Sequence, residues 1–175
     1  MKLGSIAASA LVLVATLFGC GGSKANDSPP GPVSFAAEPE SDGAVVFLRG
    51  RTEGDRVFAD VVARGITDVH GAAFRVTWDP DALSFVEAQR SPAWSPKAVL
   101  LAKEGAPGTL AVAWTEKGEA MGHDASTPLV LGTLVFDAKS RKGTRIAFRT
   151  DRSTVVNHEG KTHAVAWRAG KIPAR

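Results

Sequence analysis

The sequence is poor in the residues that build several common kinds of site. It has one cysteine, Cys20, among 175 residues, so a disulfide within the chain and a multi-cysteine metal site are both excluded. Its 21 Lys and Arg barely exceed its 18 Asp and Glu and form no basic run or stripe, so nucleic acid is not an expected partner. It has no tyrosine and 4 tryptophans, which leaves few rings for a flat sugar-binding platform.

The N-terminal residues have the pattern of an export signal. One positive charge at Lys2 is followed by an apolar run from Leu3 to Phe18, which is too short to predict a membrane-spanning helix. The run ends at Gly19-Cys20, and the chain then turns polar at once. This ending resembles the lipobox of bacterial lipoproteins, although Phe18 stands where that pattern has a small or β-branched residue.

The lipobox resemblance implies that residues 1–19 are removed and that Cys20 is lipidated and becomes the mature N-terminus. More than one acyl chain on this cysteine would anchor the protein stably. We therefore expect an exported protein that is lipid-anchored to the bacterial cell envelope, for example at the outer membrane. The sequence leaves open which membrane carries it and whether it faces the periplasm or the cell surface. The alternative is an ordinary secretory signal, cleaved near Gly19 or Ala25.

Residues 20–42 have the composition of a tether. They are rich in Gly, Ser, Pro, Asn, Asp and Glu, with Ser28-Pro29-Pro30-Gly31-Pro32 at their centre. Such a stretch buries too little apolar area to offset the entropy cost of ordering it, which predicts an extended linker. A short apolar patch at residues 33–37 interrupts the linker and is a candidate edge strand.

Residues 43–175 are predicted to form one all-β domain. Apolar and polar residues alternate in several short segments, as in 72–78, and this period of two is typical of half-buried strands. Gly and Pro supply turns at short intervals, which predicts an antiparallel jelly-roll β-sandwich. Segment 95–105 suits either a short helix or the first arm of a hairpin that returns at Thr109, and we favour the hairpin. The other candidate strands are residues 44–49, 57–64, 83–88, 109–115, 129–137, 145–149, 154–156 and 164–168.

The order of these segments resembles the cohesin domain of cellulosomes. In that family a strand that ends in aromatic-Asp-Pro leads into a Leu that begins the next strand, as Trp78-Asp79-Pro80 leads to Leu83 here. The resemblance covers about residues 44–172. It implies a jelly-roll sandwich of about nine strands, similar to carbohydrate-binding modules, and a non-catalytic role in binding another protein or a polysaccharide. The segments that carry it are residues 57–63, 68–71, 74–86, 131–136, 143–148, 155–160 and 170–172.

One departure from the cohesin pattern concerns the strand that meets the dockerin. Cellulosomal cohesins have an Asn and an Asp just before and at the start of that strand, where this chain has Gly71 and Ala73. Neither side chain can accept a hydrogen bond, so the resemblance does not extend to a high-affinity cellulosomal dockerin. We therefore expect a cohesin-like module with another use.

Candidate catalytic and metal-binding residues are few. No Gly-x-Ser-x-Gly elbow occurs, and the serines lie mainly in the tether, in turns or beside prolines, so the sequence predicts no enzyme. His158 and His163 are spaced so that regular strands would place them on opposite faces, which argues against a shared metal ion. Asp79 and Asp81 flank a proline and are expected to shape a turn through hydrogen bonds to the backbone. We expect neither a cofactor nor a metal.

The tryptophans offer the main binding candidate. Trp78, Trp114 and Trp167 fall on the apolar side of alternating strands and are predicted to pack in the core. Trp94 lies in a loop bracketed by prolines, where an exposed indole would stack on a sugar ring or anchor a protein partner. The alternative is a loop tryptophan folded down onto the sandwich.

Together these patterns predict a non-catalytic, lipid-anchored binding module of the cell envelope. It would engage a protein partner, dockerin-like or other, through one face of a sheet. The alternative is a carbohydrate-binding module that acts in polysaccharide binding or degradation, with Trp94 as its stacking residue.

Overall fold

The computed structural model describes residues 32–39 and 41–174. Almost all of the regular structure is β-strand, and one 3-10 turn lies at Thr150–Arg152. Within these ranges no helix is long and apolar enough to cross a membrane. The strands are β1 (Ala36–Ala37), β2 (Val45–Glu53), β3 (Arg56–Arg64), β4 (Ile66–Val69), β5 (Gly71–Thr77), β6 (Leu83–Arg90), β7 (Val99–Glu104), β8 (Thr109–Thr115), β9 (His123–Ala125), β10 (Leu129–Ala138), β11 (Thr144–Phe148), β12 (Thr154–Val156), β13 (Ala166–Arg168) and β14 (Gly170–Ile172).

The strands form two sheets around a main core, with a small two-stranded ribbon of β4 and β9 beside them and a second, smaller buried cluster of Val45, Phe47 and Val62. The larger sheet has the order β1-β14-β11-β5-β8-β7, with β12 also paired to β5, and the smaller has the order β13-β2-β3-β10-β6. Among the described strands only β13 and β2 pair in parallel. The predicted all-β, largely antiparallel sandwich is confirmed. Its strands outnumber the predicted nine because some are broken, as where the turn at Thr150–Arg152 separates β11 from β12 along β5.

The core lies between the sheets and is built around aromatic rings. Phe74 and Trp114 of the larger sheet meet edge to face with ring centroids 5.1 Å apart. Trp78 meets Phe136 of the smaller sheet in the same way, also at 5.1 Å, and so joins the two layers. Trp78 and Trp114 are buried as predicted, and Trp167 is half-buried and packs against the same core.

The apolar patch ahead of the predicted domain start belongs to the folded unit. Val33 is buried, and its carbonyl accepts a hydrogen bond of 2.7 Å from the Thr52 hydroxyl. The Phe35 ring covers Gly50 and Gly170 so closely that a Cβ at either glycine would lie 2.1 Å from a ring atom. The following residues form β1 at the edge of the larger sheet, so the patch is the edge strand that the sequence suggested. The structure thus extends the domain to Val33, ahead of the predicted start at residue 43.

Two predicted turns have the expected chemistry. The backbone N–H of Asp81 donates to the Asp79 carboxylate at 2.9 Å, so Asp79 shapes the turn as predicted. Residues 95–105 form no helix, and the hairpin prediction is correct because β7 pairs with β8. Gly108, in the turn of this hairpin, has a φ of +74°, and a Cβ there would lie 2.4 Å from the Trp78 carbonyl oxygen.

Candidate binding face

The outer face of the larger sheet carries the residues that alternate with those in the core. Strand register places them in successive rows across the sheet, and on β5, β7 and β8 the two middle rows are the most exposed. Because successive outward residues are two positions apart, the rows are separated by about 7 Å. We call the surface formed by these two rows the open face. Its first row is Leu101, Ala113, Ala73 and Thr154, and its second row is Lys103, Ala111 and Arg75, next to Arg149.

The first row of the open face has small residues at its centre. Ala73 and Ala113 lie opposite each other on β5 and β8, in a shallow depression of about 260 Å³. Gly71 continues this surface, and a Cβ there would lie 3.0 Å from the Thr115 hydroxyl oxygen. Leu101, beside Ala113, has 62 % of its surface exposed. A partner could therefore approach the sheet backbone closely and cover one large apolar side chain at its edge.

The second row of the open face carries only positive charge. Arg75, Lys103 and Arg149 line a depression of about 390 Å³. Asp151 binds the Arg149 guanidinium at 3.2 and 3.0 Å, and this hydrogen bonding raises the pKa of Arg149. In the described part of the chain, Arg75 and Lys103 form no ion pair. Two of the three cations are thus free to meet a negative group from outside.

The outer face of the smaller sheet differs, because several of its charges are paired within the chain. Asp60 on β3 lies 3.7 Å from both Arg49 and Arg51 of β2. Arg56 of β3 contacts Asp137 of β10 at 3.0 Å, and its pKa is raised by that hydrogen bond. The two outer faces therefore differ in what they offer a charged partner.

Trp94 does not lie on an open surface, and the prediction of an exposed indole is wrong. Only 3 % of its surface is exposed, and its indole N–H donates to the Leu131 carbonyl at 2.6 Å. Its ring meets His123 edge to face at 5.0 Å. Within the loop, Ser91 accepts hydrogen bonds from the backbone N–H groups of Ala93 and Trp94. This buried position is the alternative that the sequence left open, and it removes Trp94 as a sugar-stacking platform.

Among the described residues, the most deeply buried carboxylate is that of Glu116, which lies next to the Trp94 loop. It accepts hydrogen bonds from the Ser95 backbone at 2.7 Å, from the Ser95 hydroxyl, and from His123 Nε2 at 2.8 Å. Burial alone would raise the pKa of Glu116, but the hydrogen bonds from Ser95 and His123 outweigh it and lower the pKa. Since the carboxylate stands between the serine and the histidine, His123 does not reach the hydroxyl as a general base would. The three groups pin the loop to the sandwich.

Two histidines that were expected on opposite faces meet the same residue, Asp68. Its carboxylate binds the His158 ring and the Gly122 N–H, and its carbonyl oxygen lies 3.4 Å from His163 Nε2. Asp68 has a φ of +58°, and the hydrogen bond from His158 is the main cause that lowers the pKa of its carboxyl group. The expectation of opposite faces assumed regular strands, whereas His158 lies in a turn and His163 follows the bridge at Thr162, outside any strand. Among the described residues no group of three or more His, Cys, Asp or Glu could hold a metal ion.

Other predicted site residues have mixed outcomes. Cys20 lies outside the described residues. Gly71 and Ala73 are on β5, and Ala73 is exposed on the open face. The sequence reasoning missed the open face, although Arg75 stands at an outward position of the strand pattern in 72–78. The missing information was which other strands lie beside it.

Solved structures share this fold. The sixth cohesin of scaffoldin B from Acetivibrio cellulolyticus, solved in complex with a mutant dockerin, matches with a TM-score of 0.65 and 18 % identity, over 76 % of this chain and 99 % of that chain. A cohesin module of a family 33 glycoside hydrolase from Clostridium perfringens matches with a TM-score of 0.60 and 16 % identity, over 77 % and 97 %. A type I cohesin–dockerin complex from Clostridium thermocellum matches with a TM-score of 0.58 and 14 % identity, over 74 % and 97 %.

These likenesses show that the chain has the fold of cohesin modules, and they confirm the resemblance found in the sequence. No protein-family model matches the chain. No curated protein matches it either.

Proposed function

We propose that the chain is a non-catalytic binding module that engages a protein partner through the open face. The observation that carries the proposal is the open face itself, where small residues on β5 and β8 lie beside an exposed leucine and unpaired cations. The solved cohesins support it, since two of those described above were captured with dockerins.

The dimensions of the larger sheet suit a protein partner. Four columns of the sheet, β7, β8, β5 and the β11/β12 pair, are about 4.8 Å wide each and about 20 Å long, so together they present roughly 400 Å². A standard protein interface takes about 800 Å² from each partner, so these strands supply about half of that area and the adjoining strands and loops supply the rest. A sheet is also rigid, so little backbone change is needed on binding.

The expected partner differs from a cellulosomal dockerin. Gly71 and Ala73 occupy the positions where cellulosomal cohesins have an Asn and an Asp, and they offer no side-chain acceptor. The charged groups that this surface offers without an ion pair, Arg75 and Lys103, are hydrogen-bond donors with positive charge. The partner must therefore be recognised by different chemistry on a similar surface.

The binding role is tested with two sets of uncharged substitutions. The mature chain with Cys20→Ser, which stays in solution, is immobilised and exposed to secreted and envelope proteins of the producing organism. Leu101→Gln with Ala113→Gln removes the apolar contact and fills the depression without changing charge. Val86→Gln is the matched control, because Val86 is an apolar residue with 42 % exposure on β6 of the other sheet.

A partner that uses the open face is retained by the wild type and by Val86→Gln. The double variant should weaken its binding at least about tenfold, which corresponds to about 1.4 kcal/mol, in a titration with the purified partner. A partner that binds all three proteins equally, or is lost with Val86→Gln alone, contradicts the use of this face.

We also propose that Cys20 is the lipid anchor, that residues 1–19 are removed on export, and that the tether ends before Val33, which is buried in the fold. The support is the sequence pattern around Cys20. Replacing Cys20 with Ser should move the protein from the membrane fraction to the soluble fraction, whereas Ser23→Ala should leave it in the membrane. Membrane association that persists in Cys20→Ser contradicts lipidation.

A further inference from the structure

The charge of the open face points to the chemistry of its partner. Arg75 on β5 and Lys103 on β7 lie in one row, each opposite Ala111 of the strand between them. Two strand spacings separate their backbones, which is about 10 Å. The Arg149 backbone N–H donates to the Arg75 carbonyl oxygen at 2.8 Å, so a third cation borders the same depression.

Carboxylates of the chain itself offset little of this charge. Asp151 binds Arg149 and also lies 3.6 Å from Arg152, so it is already shared between two arginines. Further along the sheet, Arg145 is paired with Glu38 at 2.6 Å. The outward strand residues that the structure describes on this sheet include no acid.

The unpaired cations stand directly beside the apolar row. Lys103 and Leu101 are two residues apart on β7, and Arg75 and Ala73 are two residues apart on β5. A ligand that covers both rows must therefore place negative charge within about 7 Å of an apolar group. The arginine guanidinium favours a carboxylate, because its planar fork forms two parallel hydrogen bonds to one.

We propose that the partner of the open face is a protein segment that presents acidic and apolar side chains together on one face. Its carboxylates bind Arg75 and Lys103, and its apolar side chain packs on Ala73 and Ala113 beside Leu101. This inference rests on the proposed function, since it names the partner class of the same surface.

The test uses three soluble helical peptides of about 16 residues as probes. One carries Leu and Glu three or four positions apart on one face, the second has Lys in place of every Glu, and the third has Ala in place of Leu. Each is titrated into the ¹⁵N-labelled mature chain with Cys20→Ser, and amide chemical shifts report where it binds. The variants are Arg75→Glu with Lys103→Glu, and a control with the same change in charge outside the open face, Lys117→Glu with Arg141→Glu.

The Glu/Leu peptide should shift the amides of β5, β7 and β8. The Arg75/Lys103 variant should weaken its binding at least about tenfold, and the control variant should weaken it less than about threefold. The Arg75/Lys103 variant should also prefer the Lys peptide, and raising the salt from about 50 to about 500 mM should weaken wild-type binding.

Equal binding of the Glu and Lys peptides to the wild type overturns the proposal. So does the absence of shifts with the Glu/Leu peptide, or equal binding of the Ala peptide. The uncharged Leu101/Ala113 variant separates the two proposals. Suppose that a natural partner no longer binds that variant but binds Arg75→Glu with Lys103→Glu as tightly as the wild type. This result would support the open face as the binding surface and refute the proposal of an acidic partner.

Discussion

Replacing Trp94 with Ala should strongly destabilise the fold. With 3 % of its surface exposed, the side chain removes most of its area from water. A buried indole of about 200 Å², at about 25 cal/mol per Å², corresponds to about 5 kcal/mol, and this is an upper value because unfolded chains already bury some area. Measured losses for truncating a buried Trp are about 3–5 kcal/mol, so we expect about 4 kcal/mol.

Trp94→Phe separates packing from hydrogen bonding. Phenylalanine keeps most of the ring but loses the N–H that donates to the Leu131 carbonyl at 2.6 Å. Loss of one buried hydrogen bond costs about 1–2 kcal/mol. The phenylalanine variant should therefore lie between the wild type and the alanine variant.

Urea unfolding of the mature chain with Cys20→Ser, followed by far-ultraviolet circular dichroism, measures these differences. With a slope of about 2 kcal/mol per M, Trp94→Ala should lower the midpoint by about 2 M and Trp94→Phe by about 0.5–1 M. Leu101→Ala is the control, because Leu101 is 62 % exposed and such a site should change stability by less than about 0.5 kcal/mol. If Trp94→Ala matched Leu101→Ala, the buried position of Trp94 would be refuted.

Two further predictions concern other contacts of the fold. Folding lowers the pKa of Glu116 below its ordinary value of 4.5, so its contribution is present above that pH and is lost as pH falls through the lower native pKa. The stability gap between wild type and Glu116→Gln, measured by urea unfolding, should therefore narrow from pH 7 to pH 3, and a constant gap would contradict this. Phe35→Ala should cost about 2 kcal/mol, and Gly170→Ala should cost much less in the Phe35→Ala background, since the ring that its Cβ would strike is gone. If the stability losses of Phe35→Ala and Gly170→Ala, measured by thermal unfolding, simply added in the double variant, residues 33–37 would not pack as described.

The strand content and the core were predictable because they depend on local patterns. The alternation in 72–78 placed Phe74 and Trp78 on the buried side, and the structure buries both. Asp79 was predictable as a turn former because its carboxylate acts within two residues. The inward path of the Trp94 loop was not, because it depends on Leu131 and Glu116, which are distant in sequence.

The sequence by itself determined the class of fold, since a period of two in hydrophobicity decides which side of a strand faces the core. It also carried the cohesin resemblance and the lipobox pattern around Cys20, which are both features of short consecutive segments. Only the tertiary structure decided that Arg75 and Lys103 share one row and that Asp68 meets two histidines. The physical reason is that strand order and register bring together segments that are distant in the sequence. Outward residues on a sheet are not constrained by core packing, so the local pattern does not reveal which strands lie beside them.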